Sequence, residues 1–370
     1  MLRSMPVLLA AGLAAASGAA LANDSSAELA AGGLIFVRNE NVEMRSEDLT
    51  ISAKEIVVRY RFFNKSAKDV TVLVAFPMPE IKIESMYQNI SIPAEDPVNF
   101  LAFRTTVNGQ PVTTKVEQRV YAAGLERTEL LRSLNIPLAP HLRQTGEALD
   151  KLPKAKWDEL IRIGLVEVET YDAGKGMQEH LAPRWALQTT FYWEQTFKAG
   201  AETAITHRYK PSVGASVQTS LGEPSQVDED WYEEYRDKYC IEQDFYDAVE
   251  RARREANSTF GAPFSEQRIE YVLKTGANWA GPIKQFRLVV DKGDPDSLVS
   301  FCGDDVRKIS QTEFEMKETD FTPDDDLAVL ILKRLPPQSP VEQSPPQAPV
   351  EQSPPQAPVE QSPSRRPSKK

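Results

Sequence analysis

The chain has 370 residues, 43 basic against 54 acidic side chains, and a formal charge of −11. An acidic balance of this kind repels phosphate backbones and argues against a nucleic-acid partner. With only two cysteines, the covalent framework reduces to one disulfide at most.

Residues 1–22 read as an export leader. Arg3 supplies the positive start, Val7 to Leu21 form an apolar run, and Ala20-Leu21-Ala22 gives the small-residue pattern of a cleavage site. The run falls short of the ~20 apolar residues that a spanning helix wants. No later segment is long and apolar enough either, so the reading is a periplasmic or secreted protein without a transmembrane segment after cleavage. The other end, 335–370, repeats PVEQSPPQA and carries no apolar stripe. It reads as a disordered, polyproline-like tail. Arg365, Arg366, Lys369 and Lys370 at its tip are the feature by which it would touch an anionic surface. Leader and tail set aside, the 23–334 body carries −13.

Within the body, EIVVRYRFF places Ile56, Val58, Tyr60 and Phe62 on one side of a strand, and VTVLVAF does so for Val70, Val72, Val74 and Phe76. The short polar link between them predicts an antiparallel hairpin, which Pro77 and Pro79 terminate. FRTTVNGQPVTTKV predicts a second hairpin around Asn108-Gly109, a pair that tolerates positive φ. About 122–183 is expected to be a mainly helical insertion, from LERTELLRSL and KAKWDELIRIGL. WALQTTFYW and TAITHRY return to alternation, the second with Ile205, His207 and Tyr209 on one side. A second helical stretch is expected at about 228–257, with Phe245, Ala248, Val249, Ala252 and Ala256 as its apolar stripe. Short strands then run from RIEYVLKT to DLAVLIL. The whole reads as mainly β with helical insertions: an antiparallel β-sandwich, or two packed β-domains.

Motifs for chemistry are sparse. His141, His180 and His207 stand in different segments without metal-ligand spacing, and no HExxH, CxxC, GxSxG or Gly-rich phosphate loop occurs. No cofactor and no metal are implied. The carboxylate clusters DKGDPDS and TPDDDL lack the EF-hand pattern and read as solvated turns. Cys240 and Cys302 are expected to form one structural disulfide. TGANWAGP, residues 275–282, reads as a wide hairpin connection. Its Trp279 is either a plug over the end of the sandwich, the more economical role, or an outward-facing stacking surface.

Four blocks carry a family resemblance: the run from NDSSAELAAGG to LTIS, YRFFNKSAKDVTVLVAFPMPEI, FYWEQTFKAG, and YVLKTGANWAGPIKQFRLVVDKG. Together they resemble bacterial exported proteins grouped as a domain of unknown function, DUF4424, over nearly all of 23–334. That resemblance implies export and brings no catalytic residue. The stretch from Asn64 through FPMP to NGQPV is also similar to the opening of the vault/inter-α-trypsin-type domain, a β-sandwich interaction module. The expectation is therefore a non-enzymatic β-sandwich that binds an envelope protein or polymer. Asn278 and Trp279 are the first candidate contacts, with His207 and Tyr209 behind them. The alternatives are an envelope carbohydrate or peptide hydrolase with scattered carboxylates, and a purely structural secreted protein.

Overall fold

Alternating polarity becomes alternating burial along the expected strands. In Ile56–Asn64 the side chains of Ile56, Val58, Tyr60 and Phe62 are buried while Arg59 and Arg61 face solvent. The computed structural model describes residues 23–336 except 31–32, 84–88, 173, 175, 222–228 and 258–260. The 1–22 leader and almost all of the 335–370 repeat lie outside the described residues.

Three large sheets share one continuous apolar core. The first runs Leu125–Glu126, Lys115–Ala122, Ala186–Phe197, Val70–Pro77, Ser25–Ala30 and Gly33–Phe36, with Ile81–Lys82 paired at one side. The second runs Arg307–Lys308, Glu313–Phe321, Ile283–Asp291, Val42–Ser52, Ile56–Asn64, Glu202–Tyr209, Arg104–Val107 and Gln110–Val112. All its pairings are antiparallel except the one between Val42–Ser52 and Ile283–Asp291. The third runs Leu298–Phe301, Leu327–Arg334, Phe264–Tyr271, Val213–Ser216 and Asn89–Ser91.

Aromatic side chains fill the space between the first two sheets. Phe76 and Phe191 of the first meet Phe103, His207 and Tyr209 at or beside the second, with Phe103 and Phe191 stacked at 4.4 Å. The third sheet is covered on both faces. From Leu327–Arg334, Val329 and Ile331 enter the shared core, while Leu330 and Leu332 pack under Val249 and Ala252 of the helix Gln243–Glu255. A strand buried on both faces needs the continuous apolar run that DLAVLIL supplies.

Three expectations need correcting. The Ile56–Asn64 and Val70–Pro77 strands do not form a hairpin; they belong to opposed sheets, and the 65–69 link crosses between them. Both carry a core-facing side, and two such strands satisfy the same core from opposite walls as well as side by side. TGANWAGP is not a hairpin connection either. It leaves Phe264–Tyr271 in the third sheet, forms a 3-10 turn at Lys274–Asn278, and enters Ile283–Asp291 in the second. The 122–183 insertion holds the helices Thr128–Ser133, Arg143–Asp150 and Lys154–Arg162, but it ends in the ribbon Val166–Asp172/Met177–Pro183. The Asn108-Gly109 hairpin forms as expected, with φ of 49° and 79°. Among the described residues no helix is long and apolar enough to cross a membrane.

Candidate functional site

The polar centre of the molecule depends on a β-bulge. In Val42–Ser52, Val42 and Met44 face inward, the register with Ile56–Asn64 shifts between Met44 and Ser46, and Glu47, Leu49 and Ile51 face inward beyond it. A bulge inserts one residue and reverses the parity of all that follow. A carboxylate therefore enters the core opposite Tyr60, its register partner.

Around Glu47 the chain assembles a closed set of hydrogen bonds. Tyr271 donates its hydroxyl to Glu47 Oε1 at 3.3 Å and lies 3.1 Å from the Tyr60 hydroxyl. Asn23 donates Nδ2 to Glu47 Oε2 at 3.0 Å and to the Leu273 carbonyl at 3.3 Å. Tyr60 donates to Asn23 Oδ1 at 2.5 Å. Burial pushes the Glu47 carboxyl up to about 8, against the pull of the Asn23 and Tyr271 hydrogen bonds. It also drives Tyr60 and Tyr271 well above the ordinary phenol range.

Beside this set, His207 Nε2 lies 2.9 Å from Asp24 Oδ1, and His207 Nδ1 lies 2.9 Å from Thr105 Oγ1. Burial raises the Asp24 carboxyl, and the neighbouring His207 works against that shift. Hydroxyl, imidazole and carboxylate in a row is the order of a nucleophile relay. Here the row is walled in: Thr105 is 3% exposed and His207 and Asp24 are 0% exposed. The rings of Phe76, Phe103, Trp193 and Tyr60 stand 4.7 to 5.7 Å from the imidazole. The Thr105 hydroxyl is closed off from solvent, and the row ties Arg104–Val107 and Glu202–Tyr209 to Asp24.

TGANWAGP closes over the start of the described chain. Thr275 Oγ1 accepts from the Asn23 backbone N–H at 2.5 Å and donates to the Asn23 carbonyl at 2.6 Å. Trp279 Nε1 donates to the Asp24 carbonyl at 2.6 Å, and Asn278 Nδ2 donates to Ser25 Oγ at 2.9 Å. Gly276 is required by close approach. A Cβ there would sit 2.7 Å from Asn23 Nδ2, which two hydrogen bonds hold in place, and 3.2 Å from Ile283 Cδ1. Gly276→Ala should therefore lower stability by about 1–3 kcal/mol. An unchanged urea midpoint would show that Asn23 gives way freely.

Of the expected contact residues, Asn278, Trp279 and His207 converge on Asp24 and Ser25 of their own chain. Tyr209 is buried in the same core with its hydroxyl unpartnered. Trp279 is a plug, 0% exposed. Sequence reading missed Asn23, Asp24, Glu47, Tyr60, Thr105, Tyr271 and Thr275. The usable signal was Tyr60 and Tyr271 on core faces of alternating runs, since a buried tyrosine hydroxyl calls for a partner. The three histidines stay apart, with His180 on Asp150 at 2.7 Å and His141 pushed down to about 4 by burial. Among the described residues no group of three or more His, Cys, Asp or Glu is arranged to hold a metal. In DKGDPDS, Asp291 and Asp294 accept hydrogen bonds from the loop's own N–H groups.

An open cleft of about 960 Å³ lies at the seam between the second and third sheets. Leu273, Phe286, Leu288, Phe301, Met316 and Phe321 contribute its apolar lining. Glu242, Asp304, Asp305 and Lys308, with Asp324, Asp325 and Asp326 from TPDDDL, supply its charged groups. Asp326 accepts from the Leu273 and Lys274 N–H groups, and Asp325 pairs with Lys274 at 3.0 Å. The disulfide joining Cys240 to Cys302 forms part of one wall.

Among solved structures, the chain is similar to a Legionella pneumophila protein described as a "putative nutrient binding protein". The identity is 16%, the alignment covers 84% of this chain and 70% of that one, and the TM-score is 0.39. No curated protein matches the chain. Residues 22–330 match the family described as Domain of unknown function (DUF4424), and the chain belongs to that family.

Proposed function

We propose that this chain is an exported, non-enzymatic binding module of the bacterial cell envelope. Its ligand is an apolar segment of an envelope partner that carries positive charge. The observation that carries the reading is the seam cleft, whose apolar lining is flanked by Glu242 and five aspartates against Lys308 and the Lys274 that pairs with Asp325. An apolar body buried there leaves water, and a cation at its edge meets the acidic rim. Export is supported by the leader-like start of the sequence and by the disulfide, a bond that persists in oxidising compartments.

The test is a fluorescence titration of the purified chain with a labelled peptide of alternating Phe and Lys, set against its Phe/Glu counterpart. The Phe/Lys peptide should bind more tightly and should weaken with added salt. Met316→Trp, which fills the cleft, should abolish binding. Asp305→Asn with Asp324→Asn should weaken it by about tenfold, the scale of one to two lost rim charges. Equal binding of both peptides, or full binding by Met316→Trp, would refute the assignment.

A further inference from the structure

Asn23 is held at every polar group it has. It is 0% exposed, and its backbone N–H, its carbonyl, Oδ1 and Nδ2 all bond to groups of distant segments. The residues just before it are Ala20-Leu21-Ala22, the small-residue pattern of a leader cleavage site.

The charges around it do not balance. Asp24 and Glu47 are both fully buried carboxyls that feel one another, and among the described residues the ion pair formed by either is His207 with Asp24. Tyr60, Tyr271, Thr105 and Thr275, which complete the surroundings, bring no positive charge. Asp24 Oδ2 is buried with no hydrogen-bond partner. Two buried acids with one base and an orphaned oxygen leave room for one more cation with spare donors.

We propose that Asn23 is the processed amino terminus of this protein, and that its α-ammonium group is the missing cation, held out of solvent among Thr275, Glu47 and Asp24. A leader peptidase hydrolyses the Ala22–Asn23 bond. Water supplies the hydroxyl of the Ala22 carboxylate, and the freed Asn23 amine takes up a proton. The new group keeps its hydrogen bond to Thr275 Oγ1 and offers further donors to the carboxylates. Cleavage thereby supplies the charge that completes the interior. The inference is independent of what occupies the seam cleft.

Retaining a peptide bond at Asn23 leaves Glu47 without that partner, its carboxyl pushed up to about 8. Its contribution to stability is then full below the ordinary value of 4.5 and is lost as pH rises towards about 8. With the ammonium in place, Glu47 is ionised and paired, and that loss disappears.

The chain is exported from a bacterial host with its own leader, and is also prepared with Ala22 retained, each with and without Glu47→Gln. The exported product should begin at Asn23 by intact mass and terminal sequencing. In the native state its α-amine should be dimethylated roughly 100-fold more slowly than after denaturation, because reaction waits on local opening. At pH 8, Glu47→Gln should lower the Tm of the processed form and raise that of the form retaining Ala22. A start elsewhere, prompt native labelling, or the same sign of the Glu47→Gln shift in both forms would overturn the proposal. Where the Ala22 form fails to fold, the labelling rate of the processed chain decides alone.

Discussion

Trp279→Ala is expected to lower the unfolding free energy by about 3–5 kcal/mol, the range for deleting a fully buried large aromatic. The indole packs on Phe62 at 4.6 Å and Phe197 at 5.8 Å, so its loss opens a void between sheet strands. It also deprives the buried Asp24 carbonyl of the indole N–H, its donor at 2.6 Å. Trp279→Phe separates the two contributions. It keeps most of the ring area and loses the N–H, with an expected cost of about 1–3 kcal/mol for the unsatisfied acceptor. Denaturant titration followed by far-UV circular dichroism measures both. A wild-type midpoint for Trp279→Ala would remove Trp279 from the core and return it to the surface as a contact residue.

Loss of the Cys240–Cys302 bond is expected to cost about 4 kcal/mol in the loop-entropy account, given a sequence separation of 62 residues. The native state shares the restraint: Ser300 Oγ donates to the Tyr239 carbonyl at 2.9 Å beside the bridge, and Tyr239 is buried under the third sheet. The double variant Cys240→Ala/Cys302→Ala should show a lower midpoint under non-reducing conditions. The wild type should move to meet it when dithiothreitol is added. Because both cysteines line the seam cleft, Phe/Lys peptide binding should fall with the same treatment. Unchanged stability on reduction would mean that the helices Glu229–Tyr239 and Gln243–Glu255 hold to the sheet without it.

Strand identity was legible wherever one side of a strand is greasy and the other wet. Glu202–Tyr209 shows this cleanly: Ile205, His207 and Tyr209 are buried in turn, as their spacing predicts. The Asn108-Gly109 turn was legible because so few residue pairs accept its dihedral angles. Partner choice was not. Periodicity says which side of Val70–Pro77 is buried but not which strand lies beside it, and proximity in sequence pointed to the wrong neighbour. Val42–Ser52 escaped because its bulge breaks the parity that the reading relies on, and Glu47 was hidden with it. The polar centre was illegible for a different reason. It draws residues 23, 24, 47, 60, 105, 207, 271 and 275 from two sheets, the segment before Ser25–Ala30 and the Lys274–Asn278 turn, and no local window holds more than two of them. Trp279 was legible as a plug, since large aromatic area is usually buried, yet the carbonyl it serves was not.

The parallel pairing of Val42–Ser52 with Ile283–Asp291 has a kinetic meaning. These neighbours are separated by more than two hundred residues of intervening chain, and the Asn23–Thr275 contacts span 252 positions. Closing loops of that size carries an entropic toll before any reward arrives, so assembly dominated by distant partners is slow. An early segment emerging from a narrow channel would find its proper neighbour only after the last third had followed. The middle of the second sheet must therefore zip shut late, leaving an unfinished edge exposed in the meantime. Such edges invite wrong partners until the far end of the chain arrives.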